Sequence, residues 1–388
     1  MKIAFVTPYY DPRNIRRGSG TFYTMGREME RQGCSIEYIG PLTITEPFST
    51  RLFRAVTRRI LNGQYKTYLD PAMARSVGKA FDQVLSNLDA DLVLTNDPGI
   101  VAGMRSELPV VYYSDVILPF TITAGSVREN ASLSGTSLIV LKYFQLTIKR
   151  CLKNARLCIF PADWLKREAA KYGTDPGKLA VIPFGANIPD PGDSVSIHRD
   201  FNFNVQKKKV DLLFIGRDWQ RKGGEIAVKV ASDLRDLGVN TILHIVGAEI
   251  KDPPSYVHVH GLLNKDDPAD WEIMDRLFRE SDVLILPSHG EGSVIVPREA
   301  AAYGLPTLAY KIDGIMASVS DGVSGVLLQH DAPAADFSSI IMSWFTEPEQ
   351  YRKLSIGARH FFEENADWQA NVGKLISALN GAIQVPGD

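Results

Sequence analysis

Short apolar segments alternate with amphipathic segments along nearly all of the 388-residue chain. The apolar segments have the length of strands, and this alternation is typical of the β-α-β units that build parallel sheets. A polar stretch with several prolines and glycines, residues 185–209, separates two series of such segments. The pattern therefore predicts an α/β protein with two domains. The predicted strands are residues 2–7, 35–40, 91–95, 110–114, 156–160 and 179–183, then 211–216, 241–247, 256–260, 282–287, 306–310 and 325–328.

Composition narrows the range of functions. The formal net charge is -2, so no global electrostatic field favours nucleic acid as a partner. No apolar run approaches the roughly 20 residues that cross a bilayer. The first apolar segment stops at Pro8, which is too short for a signal peptide and predicts a first strand instead.

The positions of the cysteines and histidines argue against further classes of protein. Cys34, Cys151 and Cys158 are odd in number and lack metal-ligand spacing, so we expect no disulfide framework and a reducing cytoplasm. All seven histidines lie at His198 or later, which disfavours hydrolases whose catalytic triad needs an N-terminal histidine. We see no credible carboxylate or histidine cluster at the carboxyl end of a predicted strand, and we therefore predict no metal site.

The stretch from residue 281 to residue 328 carries a candidate ligand site. A doubly apolar strand ends at Pro287, and a glycine-bearing turn then opens into a helix headed by Pro297. In an open α/β sheet such a turn lies at the carboxyl end of a strand, where its N–H groups attract anions and hydroxyls. Glu291 and Glu299 bracket the turn with seven residues between them.

A second turn follows the strand at 211–216. Arg217 stands directly after Gly216, and Lys222 precedes the next predicted helix. Cations and N–H donors that converge beside a helix N-terminus are what a diphosphate requires.

Two features of the first half also belong at the carboxyl ends of strands. The loop before the helix at 21–31 contains Gly20, whose lack of a side chain lets the backbone approach a ligand. This loop lacks a complete G-x-G-x-x-G, so a dinucleotide site is not supported. Asp115 follows the strand at 110–114, where it either orients an acceptor hydroxyl or caps the next segment.

The ordered set Glu291-x7-Glu299, Gly304-Leu305-Pro306 and the turn at 321–325 resembles the donor-site signature of family 4 retaining glycosyltransferases. That resemblance implies a GT-B fold, in which two Rossmann-like domains face an interdomain cleft. It implies an acceptor-side domain at 1–188, a donor-side domain at 189–365, and a last helix, about 366–388, that crosses back onto the first domain. The likeness is strong from residue 211 to residue 328 and weak before residue 156.

The resemblance also implies roles for single residues. Arg217 and Lys222 would meet the donor diphosphate, Glu299 would hold the ribose hydroxyls, and Gly20 would face the diphosphate or the acceptor. The family commonly has a histidine in the acceptor cleft where Ser114 and Asp115 stand here. The sugar and phosphates would be fixed by Glu291 and by the N–H groups of Gly292, Ser293, Val294 and Ile295, and Gly216 in the other turn would also belong to the donor site.

The expected function is a retaining, metal-independent hexosyltransferase without a cofactor. Its donor would be a UDP- or GDP-linked sugar, and its acceptor a hydroxyl of a glycan, a lipid or a small molecule. The alternatives are a sugar-nucleotide epimerase or hydrolase of the same fold, and a catalytically inactive member that binds nucleotide sugars.

A basic segment at 51–61 bears on location. It places Leu52 and Val56 on one predicted helical face and Arg51 and Arg54 on another, with Ile60 and Arg58 continuing the two faces. Such a helix can lie on an anionic membrane surface, or it can be an ordinary helix with a solvated face. We accordingly expect a cytoplasmic protein, either free or peripheral at the inner face of the membrane.

Overall fold

The computed structural model describes residues 1–57, 65–86, 88–117, 135–192 and 209–384, without the side chains of 135–139. The chain divides into two units. Unit 1 comprises Met1–Pro183 and Trp368–Asp388, and unit 2 comprises Phe184–Asp367. The chain therefore leaves unit 1 after Pro183 and returns to it at Trp368.

Unit 1 contains a parallel sheet with strand order β2-β1-β3-β4-β5-β6. All six strands predicted for this half are confirmed, each one or two residues shorter at one end than predicted. Lys2 pairs with Ser35 and Ile3 pairs with Leu92, which places β1 between β2 and β3. The strands are β1 (Lys2–Val6), β2 (Ser35–Ile39), β3 (Leu92–Thr95), β4 (Val110–Tyr113), β5 (Leu157–Phe160) and β6 (Leu179–Val181).

The helices of unit 1 connect these strands. The predicted helix at 21–31 is confirmed, and it starts after Gly20, whose φ of 82° is one that glycine adopts without strain. The basic segment forms a helix that begins earlier than predicted, at Phe48, and residues 58–61 of that prediction lie outside the described residues. The helices are α1 (Thr21–Arg31), α2 (Phe48–Thr57), α3 (Pro71–Leu85), α4 (Pro98–Gly103), α5 (Gly135–Asn154), α6 (Asp163–Ala170) and, from the end of the chain, α13 (Trp368–Gln384).

Helix α13 completes unit 1. Its apolar positions Val372, Leu375 and Leu379 are fully buried, as the amphipathic pattern of the tail predicts. The helix packs against α1, where the side-chain amide of Gln32 donates to the carbonyl oxygen of Gln369 at 2.8 Å. The last stretch of the chain is therefore part of the first unit's core.

Unit 2 contains a second parallel sheet with strand order β12-β11-β10-β7-β8-β9. Its six predicted strands are likewise confirmed. They are β7 (Lys209–Ile215), β8 (Asn240–Val246), β9 (Val257–Val259), β10 (Val283–Leu286), β11 (Thr307–Tyr310) and β12 (Gly325–Leu328). The helices around them are α7 (Gly224–Asp236), α8 (Pro268–Glu280), α9 (Val296–Ala302), α10 (Asp313–Met316), α11 (Ala334–Thr346) and α12 (Pro348–Phe361).

The central strands of unit 2 are buried on both faces. In β10, Val283 and Ile285 join the apolar core on one face of the sheet, and Leu284 joins the core on the other. A strand covered by helices on both sides has no face for polar residues, which explains the continuous apolar run in the sequence. Because the residues within these strands are apolar and buried, polar side chains that could bind a ligand lie in the segments that follow each strand. In the described part of the chain, no helix has the length and apolar character needed to cross a membrane.

Candidate functional site

The turn between β7 and α7 depends on glycines that let the chain pack closely. A Cβ on Gly216 would lie 2.8 Å from Cγ of Lys222, so only glycine lets the lysine stem cross the end of β7. Gly223 has a φ of 74°, and a Cβ there would lie 2.1 Å from the carbonyl oxygen of Pro287. These contacts bring the turn against the residues that follow β10.

Lys222 and Glu291 form a buried ion pair at the carboxyl ends of β7 and β10. The ammonium nitrogen of Lys222 lies 2.7 Å from Oε1 of Glu291, and both side chains are buried. Arg221 Nη1 lies 3.1 Å from the same oxygen and also donates to the carbonyl of Gly290 at 2.7 Å, while Nε of Arg221 donates to Asp218 at 3.2 Å. The arginine thus holds the loop that carries Glu291, a role that sequence reasoning missed.

The loop after Glu291 is packed against α10. A Cβ on Gly314 would lie 2.0 Å from the carbonyl oxygen of Glu291, so the loop and the helix touch through backbone alone. The N–H of Val294 donates to Gly314 at 3.4 Å, and its carbonyl accepts from Ser318 at 2.6 Å. The N–H of Val294, which we expected to face the donor, therefore has a partner inside the protein.

Two serine hydroxyls near Glu291 are buried without a hydrogen-bond partner in the described part of the chain. They are Oγ of Ser288, directly after Pro287, and Oγ of Ser293 in the loop. Buried polar atoms are nearly always hydrogen-bonded in native proteins. These hydroxyls are therefore candidates for contact with a ligand.

Helix α9 presents Glu299 from its first turn, next to a fully buried arginine. Arg298 donates to Oγ of Ser318 at 3.1 Å and to the carbonyls of Asn365 and Ala317, which fixes the start of the helix. The carboxylate of Glu299 is buried and pairs with the ammonium group of Lys265. Lys265 also reaches the carbonyl of Asn187 at 3.5 Å. Lys265 has no motif around it, and 34 residues separate it from its partner, so nothing in the sequence points to this pairing.

Arg217 lies beside the next strand in the sheet. Its side chain is exposed, and its Cγ is 3.5 Å from the point where a Gly247 Cβ would stand, at the end of β8. Lys222, Glu291, Glu299 and Arg217 all follow or flank the carboxyl ends of unit-2 strands, while Gly20 and Asp115 belong to unit 1.

The unit-1 candidates also lie at the carboxyl ends of their strands. Gly20 is buried at the start of α1, and Asp115 follows β4.

Burial, and then the charges of Asp115 and Asp97, raise the pKa of Tyr68. Burial raises the pKa of Asp97 itself to about 7, although hydrogen bonds from the backbone N–H groups of Ile100 and Gly99 act to lower it. Asp97 has the usual position of a helix cap before α4, and its shifted pKa depends on burial that a sequence does not reveal.

One group of residues bears on the expectation that the chain has no metal site. His289, His330 and Asp331 lie together at the carboxyl ends of β10 and β12. His289 and His330 are 41 residues apart in the chain, so no local spacing in the sequence indicates this group.

Two family models match the chain. The model described as Glycosyltransferase Family 4 matches residues 20–188, and the model described as Glycosyl transferases group 1 matches residues 197–361. The first match ends and the second begins close to the point where the chain passes from unit 1 to unit 2.

The relatives that match in sequence are named D-inositol 3-phosphate glycosyltransferase. The one from Geodermatophilus obscurus is 29% identical over 245 residues, which is 59% of this chain and 53% of the relative. The one from Mycolicibacterium gilvum is 25% identical over 299 residues, or 75% and 64% of the two chains. The chain thus spans about half to two-thirds of the length of these relatives.

Solved structures share the fold over nearly the whole chain. Sucrose-phosphate synthase from Thermosynechococcus elongatus has a TM-score of 0.67 at 17% identity, and Anabaena HepE in complex with UDP-glucose has 0.63 at 16%. Each likeness covers 98% of this chain and 100% of the other. At this identity the likeness concerns the fold alone, which is the GT-B fold. With both family models matched in order along the chain, the protein belongs to the family 4, group 1 glycosyltransferases.

Proposed function

We propose that the protein is a retaining hexosyltransferase that uses no metal ion in the transfer step and needs no cofactor. It takes a hexose from a UDP- or GDP-linked donor and places it on a hydroxyl of a glycan, a lipid-linked or a small-molecule acceptor. Family membership supports this proposal, as do the names of the relatives and the UDP-glucose complex of HepE.

The observation that carries the proposal is the state of Lys222. An ammonium group has three N–H donors, and Glu291 accepts one of them. Arg221, by contrast, already donates to Gly290, Glu291 and Asp218. Among the contacts of the described residues, Lys222 is therefore a buried cation with donors left for a diphosphate, and the exposed Arg217 is the second cation at the end of the same strand.

In the transfer step the bond between the anomeric carbon and the β-phosphate oxygen breaks. Negative charge develops on that oxygen, and Lys222 and Arg217 stabilise it, an effect of about 2.7–4 kcal/mol per preorganised donor. The acceptor hydroxyl attacks the face that the phosphate leaves, so the configuration is retained. Its proton passes to the departing phosphate oxygen, and the products are the glycoside and the nucleoside diphosphate.

The remaining residues position the two substrates. Glu299 accepts hydrogen bonds from the vicinal ribose hydroxyls through the oxygen that Lys265 does not hold. Glu291 and Oγ of Ser293 face the hexose, and the loop at Gly292 and Ile295 lies along the phosphates. In unit 1, Asp115 and Gly20 serve the acceptor side.

The deciding experiment incubates the purified protein with UDP- and GDP-linked hexoses and follows nucleotide release, with and without candidate acceptors. Release that requires an acceptor and yields a glycoside with the donor's anomeric configuration supports the proposal. Release without an acceptor indicates the epimerase or hydrolase alternative. Binding of nucleotide sugar without release under any condition indicates an inactive member. Turnover at saturating donor should persist in a chelator.

We further propose that α2 contacts a membrane surface. The contact serves either a membrane-bound acceptor or the location of the protein itself. Phe48, Leu52 and Val56 lie one helical turn apart and expose 77%, 56% and 58% of their surface. Arg51 and Arg54 flank this apolar stripe, although both pair with Glu46. Apolar residues with flanking arginines suit an anionic bilayer surface.

The free thiols of all three cysteines fit a reducing cytoplasm.

Co-sedimentation with vesicles tests this contact. Wild type should pellet with vesicles that contain anionic lipid, and Leu52→Asp should pellet less. The matched control is Leu262→Asp, because Leu262 is similarly exposed, at 62%, but belongs to unit 2. Equal loss in both variants, or no pelleting of wild type, would dismiss the contact and leave an ordinary solvated helix.

A further inference from the structure

The carboxyl ends of three neighbouring strands in unit 2 bring two histidines and a carboxylate together. His289 follows β10, and His330 and Asp331 follow β12. Strand β11 lies between them, and it ends at Tyr310. The tyrosine ring lies 5.6 Å from the ring of His289 and 5.5 Å from that of His330, and its hydroxyl donates to the carbonyl of Ala332 at 2.9 Å. A fixed aromatic ring thus contacts both imidazoles.

The distances within this group are those of a metal site. Nδ1 of His289 lies 3.4 Å from Nε2 of His330 and 3.6 Å from Oδ1 of Asp331. Ligand atoms about 2.1 Å from a tetrahedral Zn²⁺ lie about 3.4 Å from one another. One ligand atom from each of the three residues falls within 4.8 Å of the other two. Small side-chain rotations would therefore place all three around one ion.

The second nitrogen of His330 is already held. Its Nδ1 lies 2.8 Å from Oδ2 of Asp331, so this nitrogen carries the proton and the lone pair is on Nε2, which faces His289. The two ring nitrogens point in nearly opposite directions, so the exposed Asp331 carboxylate must leave Nδ1 and rotate before it can join an ion held at Nε2. The two nitrogens at 3.4 Å then need either a proton between them or a cation.

We propose that His289, His330 and Asp331 bind a divalent cation of the Zn²⁺, Co²⁺ or Ni²⁺ class. Two imidazoles and one carboxylate suit these ions, whereas Mg²⁺ and Ca²⁺ prefer ligand sets made of oxygen. The histidine side chains are 32% and 37% exposed, so water completes the coordination and the ion exchanges with solvent.

The site connects through the backbone to the loop that carries Glu291. The N–H of His289 donates to the carbonyl of Arg221 at 2.8 Å, and the next residue, Gly290, accepts from the Arg221 guanidinium. A cation on His289 would restrain the segment that carries Glu291 without touching the reacting atoms. Only this consequence depends on the proposed function, because cation binding itself is measured without turnover.

The test uses tag-free, chelator-treated protein titrated with Zn²⁺ by calorimetry and with Co²⁺ by visible absorption. We expect one ion per chain, the intense Co²⁺ absorption of a four-coordinate site, and a higher melting temperature with Zn²⁺. His289→Ala and His330→Gln should each remove stoichiometric binding, and Asp331→Asn should weaken it, because a neutral amide oxygen is a poorer ligand for these ions than a carboxylate.

The control is His260→Ala, which breaks the other close histidine pair in the described residues, between His244 and His260 at 3.1 Å. This variant should bind the ion as wild type does. Absence of stoichiometric binding by wild type, binding unchanged in the His289→Ala, His330→Gln double variant, or loss of binding in His260→Ala would each overturn the proposal. Melting curves without metal establish that every variant is folded.

Discussion

Two lysine–glutamate pairs define the site at the scale of single residues. Lys222 pairs with Glu291 and Lys265 pairs with Glu299, and both carboxylates are buried. A buried charge is costly unless a partner of opposite sign lies beside it, and removing one partner strands the other. In the proposed mechanism each carboxylate keeps its cation in place until a donor arrives, and a variant that removes one partner must be checked for an intact fold.

Lys222→Met should lower turnover by about 100- to 1,000-fold, because it removes a donor to the developing phosphate charge while keeping the apolar stem. The measurement is kcat at saturating donor, with circular dichroism to show an intact fold. Lys229→Met is the matched control, since Lys229 lies further along the chain, within α7, and pairs only with Asp233 among the contacts described here. Near-normal kcat for Lys222→Met would remove the diphosphate role.

Glu299→Gln should weaken nucleotide binding by about 1.5–3 kcal/mol, the range for hydrogen bonds to a charged group. The informative ligand is a 2′,3′-dideoxy nucleotide, which cannot make these bonds, so wild type and variant should bind it about equally. Isothermal titration with both ligands gives the comparison. If the variant loses as much affinity for the dideoxy analogue, Glu299 acts through the fold and not through the ribose.

At the scale of secondary-structure elements, α10 packs against the loop that carries Glu291. Gly314→Ala should force the carbonyl of Glu291 away, because the new Cβ would start 2.0 Å from it. We expect weaker donor binding and a lower melting temperature. Gly381→Ala in α13 is the control, since nothing lies within 4 Å of its Cβ position, and there alanine should stabilise the protein by about 0.4–1 kcal/mol. Equal donor affinity in both variants would show that α10 does not position the loop.

The elements were more predictable than the contacts between them. All twelve strands were predictable as short segments rich in apolar residues, and a central strand such as β10 is an uninterrupted apolar run because both of its faces are buried. The turn before α9 was predictable too, since proline and glycine mark its helix at both ends. The partners Lys265 and Arg221, and the group at His289 and His330, were not predictable, because each depends on which strands become neighbours in the sheet.

At the scale of the whole molecule, a histidine cluster makes stability depend on pH. Burial, and then the neighbouring His260, lower the pKa of His244 to about 4, and the ring of His258 lies 5.4 Å from it. The unfolded chain takes up this proton near pH 6.5, whereas the folded chain does so only near pH 4. This group's contribution is therefore fully present above pH 6.5 and is lost as the pH falls toward 4.

His244→Asn should consequently show a smaller fall in melting temperature between pH 7.5 and pH 5 than wild type, by a few degrees. Thermal melts of both proteins in matched buffers provide the measurement, and acidic groups common to both cancel in the comparison. An identical fall in the two proteins would mean that His244 titrates normally in the folded state.

The return of α13 to unit 1 has a consequence for how the protein is made. During translation the ribosome releases all of Phe184–Asp367 before Trp368 appears, so unit 2 is complete while unit 1 still lacks the helix that covers α1. Val372, Leu375 and Leu379, which are buried in the finished protein, arrive last. The nascent first unit therefore lacks the cover that α13 gives to α1 throughout the synthesis of the second, and its core is closed only after unit 2 has been made.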